Sequence, residues 1–371
     1  MSATFDYVVI GSGLSGLAIA TRLSQETSKV LLLDSEEVAG GWLMKPHLAA
    51  APVTLSSESS FLFLESLTGI KIIGAPQERA PVTFDEGQFK NFIGFGEKTP
   101  DFYDEMAPYC SSHFYELKAS PSVWIQRLLS KFKGTFAPRS IATRFVVEDG
   151  KVQHLLVNGT KKLFSQNFIY CGDVKPLARL LPLEILNSKT QSKISKTKTW
   201  TRAVLQLEHD HVVTENSAFH ILIGTSQDEI VTCVGEFSGT MSTWTTFVPD
   251  EDAEEAENVG QALKRIKRQI KRAYPNSISE TTRERICVQS GFGGHFEVKL
   301  NGDQSWPEVP NLWIGSSTVQ KNRNLVGALS QAQLVLASLG FGTPTLEEVS
   351  GSSTDEGDRP DEVYRTVTNA V

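Results

Sequence analysis

Gly11-Ser12-Gly13-Leu14-Ser15-Gly16 and, eighteen residues later, Asp34 have the types and spacing to hold a phosphate-bearing ligand. Gly11 permits a tight turn, and Gly13 has no side chain to keep a pyrophosphate off the backbone. Gly16 lets a helix lie close on the preceding strand. A helix opening at Leu14 offers unpaired N–H groups and the positive end of its dipole to phosphate oxygens. Asp34, followed by Ser35, can accept hydrogen bonds from ribose hydroxyls.

These residues need a particular frame. Tyr7 to Ile10 is a short apolar run, as expected of a parallel strand buried on both faces. Leu17, Ala20 and Leu23 recur at helical spacing after the glycines, and Val30 to Leu33 forms a second apolar run ending at the acid. Strand, glycine loop, helix, strand, acid is a dinucleotide-binding unit, and it carries more weight than a glycine triplet alone.

Six residues past Asp34 stands Gly40-Gly41-Trp42. Here the chain resembles the flavin-binding amine oxidase, phytoene desaturase and UDP-galactopyranose mutase superfamily. In that superfamily a Gly-Gly pair follows the ribose acid along the FAD pyrophosphate. Many members have Glu at the acid and Arg after the glycines; this chain has Asp34 and Trp42, with Lys45 as a substitute cation. Near the other end, Asn311 to Ser316 followed by Val326-Gly327-Ala328 is similar to the superfamily's closing motif. That motif is a strand, a loop and a helix whose N-terminus faces the flavin pyrimidine, where N–H groups favour negative charge. The resemblance implies FAD, bound non-covalently, with Gly315, Ser316 (where the family has Asp), Val326, Gly327 and Ala328 beside it. It also places Cys171 and Gly172 near the adenosine, and has Ile141 read the base edge through its backbone N–H and C=O.

Between these ends, Ser140 to Val147 and Lys151 to Val157 read as a hairpin turning at Glu148-Asp149-Gly150. A helix is expected at Lys175 to Leu181, and strands at Thr201 to Leu207 and Ile221 to Gly235. An acidic run, 250–257, leads into a helix whose apolar Ala262, Ile266 and Ile270 leave its cations on the solvent side. Lys189, Lys193, Lys196 and Lys198 read as an exposed loop. Residues 80–125 are rich in aromatics without one period, which suits a core or a pocket for an apolar or aromatic ligand. For catalysis the resemblance points to Arg202 by order along the chain, and His295 is a second candidate for the cleft. No metal-ligand cluster is evident.

Composition bounds the function. The 371 residues carry 36 Lys plus Arg against 43 Asp plus Glu, net −7, which argues against nucleic acid as the main partner. Four isolated cysteines form no metal or redox motif and suit a reducing cytoplasm. No apolar stretch approaches the roughly 20 residues of a membrane span, and no secretory leader is read at the N-terminus. The expected fold is α/β: a Rossmann-type FAD-binding domain (1–75, 130–185 and 285–345) interleaved with a smaller α+β substrate domain (76–129 and 186–284). The latter is built on a mostly antiparallel sheet, and a flexible acidic tail occupies 349–371. The expected function is an oxidoreductase taking hydride from a small amine or a C–C bond onto flavin. Its rivals are a redox-neutral sugar-nucleotide mutase, whose His-rich segment is represented between Trp42 and His113 by His47 alone, and a non-catalytic binding protein of the same fold.

Overall fold

The computed structural model describes residues 4–45, 52–224, 232–320 and 324–342. The acidic tail expected at 349–371 and His47 lie outside the described residues.

The strand Thr4–Ile10 lies in the middle of a sheet, parallel to Val30–Leu33 on one side and Lys161–Tyr170 on the other. Val30–Leu33 pairs onward with Thr135–Ala137, and Lys161–Tyr170 with Val309–Ile314, again in parallel. Both faces are covered, so these strands read as unbroken apolar runs rather than alternating ones. Val9, Leu32, Ile169 and Trp313 pack against the helices Leu14–Ser24, Glu58–Thr68, Pro121–Lys131 and Leu325–Ser338. Val8, Ile10, Leu31, Leu33, Phe168 and Ile314 pack on the opposite side, where Phe145, Val152 and Leu155 of a hairpin meet Val174 and Leu177. That hairpin pairs Ala142–Glu148 with Lys151–Val157. Its turn residues Asp149 and Gly150 have φ of 49° and 69°, the left-handed geometry that suits a tight hairpin.

A second sheet centres on Trp200–His209, antiparallel to both Met241–Pro249 and Thr281–Phe292. It continues through Cys233–Ser238 and His220–Leu222, and then runs parallel to Val82–Asp85 of a short hairpin. The sheet is therefore mostly antiparallel. The boundary expected at 285 falls inside Thr281–Phe292, all of which lies in this second sheet. Pro121–Lys131, expected with the substrate domain, instead buries Trp124, Ile125 and Leu128 in the core of the first sheet.

The two faces of the second sheet differ. The helix Ala256–Ala273 sets Val259, Leu263, Ile266 and Ile270 on Ala203, Leu205, Leu207 and Trp244, and turns its cations outward. On the other face Phe95, Met106, Tyr109, Trp200, Phe219 and Phe247 form an aromatic cluster, so much of the aromatic-rich 80–125 segment serves as core. Among the described residues no helix is long and apolar enough to cross a membrane.

The lysine-rich stretch expected as a loop is a helix, Ser188–Lys196. Asn187 caps it by accepting from the Thr190 N–H at 2.9 Å, and Ile194 anchors it in the core. A good cap and one buried residue outweigh the weak periodicity.

His220 is 1% exposed, with Nδ1 accepting from the Tyr274 hydroxyl at 2.7 Å and Nε2–H donating to the Asn216 carbonyl. Burial pushes its pKa below the usual value, against the smaller opposing effect of the Asn216 carbonyl. The unfolded chain therefore takes up the proton more readily. Stability from this site is complete above about pH 6.5, where an unfolded His titrates, and is lost as pH falls below it. The melting temperature of His220→Asn should consequently fall less between pH 7 and pH 5 than that of the parent protein. Parallel melting curves across that range would show that His220 contributes nothing to acid sensitivity.

Candidate functional site: a crevice at the strand ends

Four parallel strands end side by side, and the ladder continues past them into the loops. Gly11 N–H donates to the Leu33 carbonyl, Cys171 N–H to that of Ile10, Gly315 N–H to that of Tyr170, and Asp34 N–H to that of Ala137. These bonds gather Gly11–Gly16, Asp34–Ser35, Cys171–Gly172 and Gly315–Ser316 along one edge. Thr4–Ile10 is also where the sheet's connections diverge to either side, the place where open α/β sheets bind ligands.

The glycines have distinct roles. Gly11 has φ of 102°, which a side chain would strain. A Cβ on Gly16 would overlap the Gly11 carbonyl oxygen, so this helix turn sits directly on the loop. A Cβ on Gly13 would meet nothing within 4 Å among the described residues, so the loop has an open side there. Gly13 is also the N-cap of Leu14–Ser24 and supplies no side-chain cap to it. The open space thus lies at the start of a helix with an uncapped N-terminus, where the dipole favours an anion.

Asp34 serves the loop itself. Its Oδ2 accepts from both the N–H and the hydroxyl of Ser12, at 2.6 and 2.5 Å, while Oδ1 accepts from Glu36 N–H at 2.9 Å. A carboxylate has about four lone-pair sites, so one remains for a ligand. Gly40 N–H donates to the Ser12 carbonyl at 2.8 Å, and the Gly41 Cβ position lies 3.8 Å from Gly13 Cα, which seats the second glycine pair on the first. Trp42 is 38% exposed, and Lys45 holds its ammonium 3.9 Å from the centre of the Trp42 ring. A cation therefore stands beside Trp42 despite the absence of Arg.

On the far side, the Ser15 hydroxyl donates to the Gly315 carbonyl at 2.5 Å, tying the first helix to the last strand. A Cβ on Gly315 would press on the Cys171 sulfur, and one on Gly172 would meet the Tyr170 hydroxyl. Burial pushes the Cys171 thiol up to about 12, so it carries almost no thiolate at neutral pH. Ser316 is buried and shares a hydrogen bond with Thr318, accepting also from Thr318 N–H. Val326, Gly327 and Ala328 form the first turn of Leu325–Ser338, capped by Asn324, which accepts from Val326 N–H.

Two expected site residues are placed otherwise. Ile141 donates its N–H to Asn158 Oδ1 and accepts from Asn158 N–H, so the groups expected to read a base edge already bind Asn158. Arg202 is 4% exposed inside the aromatic cluster, 3.4 Å from the Tyr109 hydroxyl and above the Phe292 ring. That is the setting of a packed structural cation. His295 lines a cleft of about 660 Å³ separate from the strand-end crevice, together with Trp200, Asp101, Asp104 and lysines of the Ser188–Lys196 helix. Its Nδ1–H donates to the Gln320 carbonyl, which leaves Nε2 as the acceptor of the neutral ring.

Sequence reading missed Glu105, whose carboxylate accepts from Gly294 N–H and fills the space a Gly293 side chain would need. It also missed Asp173. Burial, reinforced by the charge of Asp250, raises the pKa of this carboxyl above the usual range. The signal for the first was Gly291-Phe292-Gly293-Gly294, whose three glycines all have positive φ.

Residues 9–58 match the NAD(P)-binding Rossmann-like domain family. No curated protein sequence matches the chain. Solved structures with a similar fold include an oxidoreductase from Methanosarcina mazei (12% identical, 91% of this chain and 100% of that one, TM-score 0.61). Putrescine oxidase bound to putrescine is similar at 12% identity over 91% and 99% of the two chains, with a TM-score of 0.64. A geranylgeranyl bacteriochlorophyll reductase-like protein from Thermoplasma acidophilum matches at 12% identity over 91% and 78%, with a TM-score of 0.57. The chain has the Rossmann-type α/β fold shared by these proteins.

If Asp34 holds the loop, Asp34→Ala should destabilise the cofactor-free protein by about 1.5–3 kcal/mol, the range for hydrogen bonds to a charged group. Gly16→Ala should cost about 1–3 kcal/mol through overpacking against Gly11. Denaturant unfolding of the apoprotein measures both, and an Asp34→Ala midpoint equal to the parent's would limit Asp34 to ligand contact.

Proposed function

We propose that this chain is an FAD-dependent oxidoreductase that holds its cofactor non-covalently and takes hydride from a small organic substrate, an amine or a C–C bond. The observation that carries the reading is the open side of Gly13 at the uncapped start of the first helix, with Asp34 at the end of the neighbouring strand. The residues suit FAD: loop N–H groups and the helix dipole for the pyrophosphate, the remaining lone pair of Asp34 for a ribose hydroxyl, and Lys45 as a nearby cation. The first turn of Leu325–Ser338 would add backbone donors toward the ring. When bound, the isoalloxazine supplies the electron chemistry, and the protein supplies binding and orientation. The protonated Cys171 thiol suits non-covalent binding.

On this reading the parallel sheet and its helices form the cofactor domain, and the antiparallel sheet with its aromatic cluster forms the substrate domain. The similar fold of putrescine oxidase supports amines as the first class to try.

The visible spectrum of the purified protein tests the cofactor. A flavin spectrum is expected, with yellow colour left in the supernatant after acid precipitation. Anaerobic bleaching by a panel of amines would support the hydride-transfer reading; bleaching by NADPH alone would replace it with a reductase. Gly13→Val provides a sharper test, because a Cβ there meets none of the described residues within 4 Å and enters the open space. FAD affinity should fall by about tenfold or more, equivalent to 1.4 kcal/mol, with circular dichroism showing that the apoprotein remains folded. Undiminished FAD affinity in Gly13→Val would sink the proposed site.

A further inference from the structure

We propose that the cleft beside the lysine helix Ser188–Lys196 is a binding site for a small organic dianion, a dicarboxylate or a phosphate compound. None of its lining residues belongs to the strand-end crevice, so the inference does not depend on the flavin reading. The cleft of about 660 Å³ adjoins a second of about 440 Å³, and Lys189, Lys193 and Glu297 line both. Each falls within the roughly 300–1,000 Å³ range of small-ligand sites.

The charges are arranged for an anion. Lys189, Lys193 and Lys196 sit at i, i+4 and i+7, on one face of the helix. Like charges at that spacing repel and destabilise it. Lys189, at the second helical position, also lies at the positive end of the dipole, where a cation is disfavoured. Asn187 already caps that end, so an incoming anion would answer the side chains rather than the backbone.

Two cations of the cleft are partly neutralised: Lys193 lies 3.2 Å from Glu297, and Lys198 lies 3.2 Å from Asp101. Glu105, also in the lining, accepts from Gly294 N–H. Among the described residues, neither Lys189 nor Lys196 has a carboxylate within 4.0 Å. Subtracting the pairs leaves Lys189 and Lys196 on the helix, with Asp104 and Glu105 as the remaining carboxylates of the lining. The Lys193–Glu297 pair is exposed, and such pairs contribute little, so a bound anion can displace Glu297. Trp200 gives the cleft an apolar surface. Asp101 and Asp104 also line the cleft and would repel an anionic group, favouring its approach to Lys189 and Lys196.

The test is calorimetric titration of the full chain at low salt with glutarate and with inorganic pyrophosphate, using 1,5-pentanediol as a neutral control. At least one anion should bind with Kd below about 10 mM, a weak but measurable affinity, and the diol should not bind. Glutarate alone would identify a carboxylate site, and pyrophosphate alone a phosphate site. The double variant Lys189→Gln/Lys196→Gln should weaken binding about tenfold or more. Lys264→Gln/Arg265→Gln, on the outer face of Ala256–Ala273, should leave it unchanged. All four positions are exposed, and an unchanged melting temperature confirms folding. Failure of both anions to bind, or equal weakening by the two double variants, would overturn the proposal.

Discussion

The contact between Gly16 and the Gly11 carbonyl governs the architecture of the crevice. Because Gly16 has no side chain, the first helix turn rests on the loop that leaves the central strand. With the helix lowered, Ser15 reaches the Gly315 carbonyl and Ser12 lies against Asp34. Ser12 then presents its carbonyl to Gly40, which seats the second glycine pair. Each of these bonds needs the helix at that depth, and a single methyl group would raise it.

The crevice is polar at its floor but satisfied from within. Asp34 brings a negative charge to a place that otherwise favours anions, and the Ser12 N–H and hydroxyl and the Glu36 N–H stabilise it there. The helix start opposite Asp34 has no such internal partner. The loop is thus organised before any ligand arrives, with its donors on one side and its acceptor on the other. Preorganisation of this kind lowers the ordering cost of binding.

How much of this was legible in the sequence follows from how local each feature is. Thr4–Ile10, the glycine loop and Val30–Leu33 could be read because their signals lie within forty residues and each uses one periodicity. The hairpin turn at Asp149-Gly150 was legible for the same reason. The lysine helix was not, because Ile194 is its single buried residue; the usable signal was the cap at Asn187. The backbone partner of Ile141 is seventeen residues away, and only the fold brings Asn158 to it. Arg202 could not be placed from order along the chain. Strand pairing decides which face it occupies, and the aromatic cluster that surrounds it is assembled from segments more than a hundred residues apart in sequence. The clefts lined by Lys189 and His295 exist only where distant segments meet.

The Ser15–Gly315 bond joins residues 300 positions apart. During synthesis at roughly 5–20 residues per second, the first helix leaves the ribosome well before the strand that completes the crevice exists. The glycine loop, its most specific element, must wait beside an open sheet edge at Lys161–Tyr170 until Val309–Ile314 arrives to pair with it. Non-local parallel pairing of this kind folds slowly and leaves strand edges open to aggregation. For this chain the edge of Lys161–Tyr170 stays open until nearly the whole chain has been made.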